Sequence, residues 1–149
     1  MPLFSYRDPW PKVVEKASGS VVMLIVNAVR SWDGAIPNTG LGSGFVVDRK
    51  LGIILTTRTI ISTGPVTGKA LFLNNEEVEV YPLYVDPEHD FGFFKFDPKA
   101  ISFMQVRELP LYPQGARVGV EVRVVGSDAG EKLMVLGGTI SDCKRMPPD

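Results

Sequence analysis

The chain has 149 residues, 44% of them apolar and 22% charged, with a formal net charge of −1. That is room for one good-sized globular domain or two small ones, and a charge so near zero leaves no field to draw in nucleic acid or an acidic membrane. The longest apolar run, Val21–Val26, is too short to span a bilayer, residues 1–10 hold no apolar core of signal-peptide length, and the lone Cys143 excludes an internal disulfide, so the sequence reads as soluble, not secreted and suited to a reducing compartment.

In chain order, Met1–Pro11 is an aromatic, Pro-bearing arm without periodicity, and Lys12–Ala17 suits about one helical turn before Gly19. Val21–Val29, apolar on both faces, predicts a strand inside a barrel or sandwich. Arg30–Leu41 holds Gly34, Pro37, Asn38 and Gly40 and reads as a surface loop. Two short β-rich runs follow, Phe45–Val47 and Ile53–Leu55, joined by Asp48-Arg49-Lys50-Leu51-Gly52, a polar connection ending in glycine that suits a hairpin. Ser62-Thr63-Gly64-Pro65 is a turn cluster. Lys69–Leu73 reads as a strand turning at Asn74-Asn75 into Glu77–Tyr81, where charged and apolar residues alternate with a period of two.

Asp86-Pro87-Glu88-His89-Asp90 breaks the strand pattern, and Phe91–Phe96 resumes it. Asp97–Pro113 is a long connection holding Pro98, Pro110 and Pro113. Val118–Gly126 and Lys132–Ser141 read as two more strands around the turn residues Ser127-Asp128-Ala129-Gly130, and Arg145–Asp149 is a Pro-rich end. Short strands at close spacing, little helical periodicity and fifteen glycines predict an all-β barrel or sandwich.

Chemistry-bearing residues are sparse. His89 is the only histidine, and although it neighbours Asp90, adjacent residues of a strand or turn point in different directions, so it reads as a turn histidine. Glu76, Glu77 and Glu79 lack His or Cys partners and read as the wet face of a strand, not a metal site. Cys143 reads as an inert thiol. Nothing calls for a cofactor or a metal.

Three ordered blocks carry a family resemblance. Gly42-Ser43-Gly44-Phe45-Val46-Val47, followed by Gly52-Ile53-Ile54-Leu55-Thr56, resembles the hairpin and histidine loop of the HtrA/Deg group of trypsin-like serine proteases. Where that group continues Asn-x-His, this chain has Thr57-Arg58-Thr59, so Thr59 stands at the position of the family's histidine. Asp90-Phe91-Gly92-Phe93-Phe94-Lys95 resembles the segment whose aspartate supports that histidine, which maps Asp90 onto the triad aspartate. Val118-Gly119, Val122–Gly126 and Gly137-Gly138-Thr139-Ile140-Ser141 resemble the opening strands of the second barrel. Asp-Pro-x-His-Asp-Phe-Gly-Phe at 86–93 and Val-Gly-x-Asp-x-Gly-Glu-Lys at 125–132 are similar to the fungal and plant branch with two tandem protease-like regions, one of them degenerate.

The resemblance implies a trypsin-like first β-barrel over 20–113 and the opening hairpin of a second over 114–149, preceded by an arm and short helix at 1–19. Acyl transfer there needs a nucleophilic serine, an imidazole base, an orienting carboxylate and oxyanion donors. A threonine hydroxyl has no group titrating near neutrality, and no Gly-x-Ser-Gly follows Asp90. The expectation is therefore a catalytically inactive protease-like module acting through protein or peptide binding or self-association. A fragment of an active serine endopeptidase whose nucleophile lies beyond residue 149 is the alternative, and an unrelated β-barrel binding domain is a third. The strands within 118–140 would carry open edges, which either fold back on the barrel or pair with another copy. The fungal branch implies a nuclear or cytosolic home, the plant branch a plastid one.

Overall fold

The computed structural model describes residues 9–28, 39–61, 66–128 and 132–142. Residues 1–8 of the arm, the loop over 30–38, the turn Ser62–Pro65, the turn centre at 129–131, Cys143 and the Pro-rich end lie outside the described residues.

A helix α1 (Trp10–Ser18) precedes eight strands: β1 (Val21–Ala28), β2 (Thr39–Asp48), β3 (Ile53–Thr56), β4 (Val66–Leu71), β5 (Glu77–Val85), β6 (Gly92–Phe96), β7 (Glu121–Asp128) and β8 (Lys132–Thr139). The first six close into a barrel in the order β1-β2-β3-β6-β5-β4, while β7 and β8 form a separate two-stranded sheet. All pairs are antiparallel.

β1 pairs with β2 at one edge and β4 at the other. Both its faces are covered, Val22, Leu24 and Val26 by the core and Val21 and Met23 on the opposite face, with β7 lying against the strand, which accounts for its continuous apolar run. The core is built from inward residues of every stave, among them Leu24, Val46, Ile54, Ala70, Val78, Phe94 and Phe96. Phe72 and Phe96 meet edge to face, centroids 5.7 Å apart.

The β2–β3 connection shows why Gly52 is needed. Asp48 Oδ1 accepts the amides of Lys50 and Leu51 at 3.0 and 2.9 Å, and the Gly52 amide closes the turn on the Asp48 carbonyl at 2.9 Å. Gly52 sits at φ +76°, and a Cβ there would lie 2.1 Å from the Phe96 carbonyl oxygen.

Several boundaries differ from the sequence reading, each for a physical reason. α1 is nine residues long where about one turn was expected. Proline in the first turn does not oppose a helix start, and Trp10, Val14 and Ala17, spaced i, i+4, i+7, are its half-buried positions. β2 begins at Thr39, inside the expected loop, because Thr39–Leu41 pairs with β1. β4 covers Val66–Leu71 instead of Lys69–Leu73: Gly68 faces inward between Val26 and Val80, where any larger residue would meet strand backbone. β5 continues past Pro82 to Val85; β4 pairs with it only as far as Val80, so Pro82 lies on an edge, beside a register shift between Pro82 and Tyr84, where its missing N–H costs no ladder bond. β7 starts at Glu121, later than expected, and runs through Ser127 and Asp128, which pair with Leu133 and Lys132.

Between the barrel and β7, residues 97–120 carry two short 3₁₀ turns, Pro98–Ala100 and Pro113–Gly115, and no strand. Ile101, Met104 and Val106 of this connection pack against the core. The hairpin folds back toward its own barrel, with β7 lying against α1, β1 and β2.

Candidate functional site

Where β7 approaches the barrel, a cleft of about 480 Å³ opens between α1, β1, β2, β3 and β7. Its walls are mostly apolar, with Val21, Phe45, Leu55, Phe91, Leu109 and Val125 contributing, and Ser43, Thr56, Thr57, Asp90 and Arg123 supply the polar groups. The buried Thr56 turns its hydroxyl away from solvent, donating to the Ser43 carbonyl at 2.9 Å and tying β3 to β2.

Residues 57–61 wind into a short turn at the end of β3, with the amides of Ile60 and Ile61 donating to the carbonyls of Thr57 and Arg58 at 3.2 and 3.1 Å. Thr57 and Thr59 are exposed, and their hydroxyls share one hydrogen bond of 3.1 Å. Asp90, 32 positions away in sequence, accepts the Arg58 amide at 2.8 Å on Oδ1. Thus Asp90 is brought against the turn that carries Thr59, one residue from it. Thr57 and Asp90 line the cleft; Thr59 is not among its lining residues.

The loop holding Asp90 is organised by a residue that sequence reasoning passed over. Asp86 Oδ1 accepts the amides of Glu88 at 2.9 Å and His89 at 2.7 Å, and Tyr84 donates its hydroxyl to Oδ2 at 3.2 Å. The His89 amide first, then that of Glu88, hold the Asp86 carboxyl down to about 2. The hydrogen bond from its hydroxyl to Asp86 pushes the Tyr84 phenol up. His89 Nδ1 lies 3.1 Å from Asp86 Oδ1, on a side chain that is 72% exposed, so its contact is with Asp86 and not with Asp90. Arg58 completes the arrangement by donating Nη1 to the Pro87 carbonyl at 3.1 Å. The signal for Asp86 was present as an Asx turn at Asp-Pro-Glu-His; nothing local signalled Arg58.

Arg123 closes the β7 side. Its guanidinium lies 4.4 Å from the centroid of the Trp10 ring, pairs with Glu121 at 2.8 Å and donates to the Val122 carbonyl at 3.0 Å. It joins the hairpin to α1. Glu76, read from the sequence as the wet face of a strand, is instead half-buried ahead of β5 and accepts the backbone amides of Ser102, Phe103 and Met104. Among the described residues no group of three His, Cys, Asp or Glu side chains could hold a metal ion, and no helix is long and apolar enough to cross a membrane.

The family described as Trypsin-like peptidase domain matches residues 42–149. The chain belongs to this trypsin-like peptidase family. Among curated relatives, it is 44% identical over 141 residues to Protease Do-like 7 of Arabidopsis thaliana, covering 95% of this chain and 13% of that protein. It is 46% identical over 147 residues to the pro-apoptotic serine protease NMA111 of Kluyveromyces lactis, covering 99% and 15%. The PDZ domain-containing protein C23G3.12c of Schizosaccharomyces pombe is 49% identical over 140 residues, covering 94% and 14%. The chain thus spans 13–15% of the length of these relatives. A solved HtrA-type protease with a tripeptide superposes with a TM-score of 0.73 at 20% identity, covering 92% of this chain and 41% of that one. At that identity the likeness speaks for the fold, which is all-β and trypsin-like, corresponding to the N-terminal part of the peptidase domain.

Proposed function

We propose that this peptidase region is a non-catalytic module, with Asp90 the relic of the triad aspartate and Thr59 in place of its histidine, and that it works by binding protein or peptide or by self-association. The observation that carries this reading is the pairing of Asp90 with the Arg58 amide beside a position whose only functional group is a hydroxyl, already bonded to Thr57. A carboxylate so placed has no imidazole to orient, and a hydroxyl cannot take a proton from a nucleophile near neutral pH. The binding surface is the outer face of the β7–β8 hairpin. Val124, Met134 and Leu136 are exposed there beside the outer edge of β8, a surface suited to strand addition by an extended peptide or a second copy. The division into arm (1–19), first barrel (20–113) and opening hairpin of the second (114–149) belongs to the same reading. So does an intracellular home, nuclear or cytosolic by likeness to the fungal relatives and plastid by likeness to the plant one.

A fluorophosphonate probe tests the inactive reading. No serine of this chain should be labelled, and Thr59→His should restore neither labelling nor hydrolysis of a casein substrate; stoichiometric labelling of the unmodified chain would overturn it. One observation favours a second reading: the NMA111 relative, of which this chain matches 15%, carries the printed name serine protease. There the activity would reside in a longer polypeptide that draws its base and nucleophile from other residues, and the same probe applied to that polypeptide would label it.

A further inference from the structure

The connection leaving β6 crosses one end of the barrel as a strap, residues 97–109, and its two halves are held by different means. At its far end the Arg107 amide donates to the Gly19 carbonyl at 3.1 Å and the Leu109 amide to the Val46 carbonyl at 3.0 Å, both backbone-to-backbone ties to the barrel region. Arg49 adds a third tie, its amide donating to Glu108 Oε2 at 3.0 Å. Among the described residues, no backbone-to-backbone bond joins residues 98–104 to a strand: the amides of Ala100 and Ile101 close locally on Asp97 and Pro98.

One side chain makes the hydrogen bonds that tie this near half to the barrel, while Ile101 and Met104 add apolar contact with the core. Ser102 donates its amide to Glu76 Oε2 at 2.9 Å, Phe103 donates to Oε1 at 2.9 Å, and Met104 donates to the same Oε1. Asn74 Nδ2 also donates to Oε1, and this bond first, with the strap amides after it, keeps the Glu76 carboxyl below its usual range. Three successive amides converging on one carboxylate form an anion nest filled by a residue of the same chain. Beside the near half lies an open-sided cleft of about 330 Å³ walled by Phe96, Pro98, Ile101, Met104 and Val106 together with Arg49 and Lys50 of the β2–β3 turn. Phe103 projects outward, 88% exposed, and contributes no packing to hold the strap down.

We propose that residues 98–104 are a latched lid: they open as a unit between Asp97 and Gln105 while the barrel stays folded, the Glu76 carboxylate is the latch, and opening widens the cleft. The proposal rests on the barrel end and is independent of the binding role proposed above. Backbone-paired segments open only with the sheet they belong to, whereas a segment whose hydrogen bonds to the barrel all run through one carboxylate, with two apolar side chains beside it, can open alone.

Hydrogen exchange on the whole chain tests this. The amides of Ser102, Phe103 and Met104 should exchange together and faster than those of Leu24 and Phe94. Glu76→Gln puts an NH₂ donor where an acceptor is needed and should speed the lid amides by about tenfold or more, leaving Arg107, Leu109 and the strand amides unchanged. Asn74→Ala, a milder change, should give a smaller acceleration confined to the same amides. In a Cys143→Ser background, a thiol introduced by Met104→Cys should react faster once Glu76→Gln is added. No acceleration, an acceleration shared by the strands, or an unchanged thiol rate would each overturn the lid and leave Glu76 a staple of the folded barrel.

Discussion

Asp86 shows how much of the site depends on single atoms. One carboxylate gathers two amides of its own turn and the Tyr84 hydroxyl, while the Asp86 amide closes the loop on the Phe91 carbonyl at 3.0 Å, setting where Asp90 emerges. Because these bonds favour the charged form, folding depresses this carboxyl. Its contribution is present in full above the ordinary value of 3.8 and is lost as pH falls through about 2. An NMR titration of the Asp86 side-chain carbon should therefore show a midpoint near 2, and a midpoint in the ordinary range would refute the assigned bonds. Asp86→Ala should speed exchange at the Glu88 and His89 amides while leaving β1 protected. Thr59 and Asp90 each sit in a patterned block of sequence, on which the family resemblance rests. The role of Arg58 was not legible, since its bond to Asp90 spans 32 positions and an amide carries no side-chain signature.

The hairpin between β2 and β3 is the element on which sequence and structure agree most closely, because its cues are local. An Asx-type carboxylate at Asp48 and a left-handed glycine at Gly52 specify the turn without help from elsewhere. Yet the cost of changing Gly52 is set by a distant neighbour: a Cβ would strike the Phe96 carbonyl, whose own amide donates to the Gly52 carbonyl at 2.8 Å. Gly52→Ala should cost roughly 2 kcal/mol or more from the φ penalty together with the clash, read as a lowered urea midpoint with unchanged slope. The ends of β4 and β5 were less legible. Gly68 and Pro82 carry breaker signals locally, and only the neighbouring staves show that each is tolerated, one by close packing and the other by an open edge.

For the molecule as a whole, closure of the barrel by β1 and β4 decides which residues are core. Phe94 is fully buried, and Phe94→Ala should destabilise the chain by about 3–5 kcal/mol in chemical denaturation. The register of β7 with β8 sorts the hairpin into two faces: Arg123 and Val125 line the cleft, and Val124, paired with Leu136, faces away from it beside Met134, paired with Gly126. If that outer face mediates self-association, sedimentation velocity should show concentration-dependent association of the chain. Leu136→Lys should shift it to monomer, with an unfolding free energy altered by no more than about 0.5 kcal/mol, the usual range for an exposed site. A chain that stays monomeric at every concentration would remove self-association and leave peptide capture.

Periodicity, turn residues and residue identity are local properties, and they alone carry the all-β character, the strand-bearing blocks and the absence of an imidazole at position 59. Tertiary structure alone decided the rest. Whether β1 and β4 meet, how Asp90 finds Arg58, why Glu76 is a clasp and not a wet strand face, and which side of the hairpin meets α1 all depend on contacts between residues far apart in the chain. Such contacts leave no periodic trace, since the partner of a buried or hydrogen-bonded group is set by closure of the barrel and not by its neighbours in sequence.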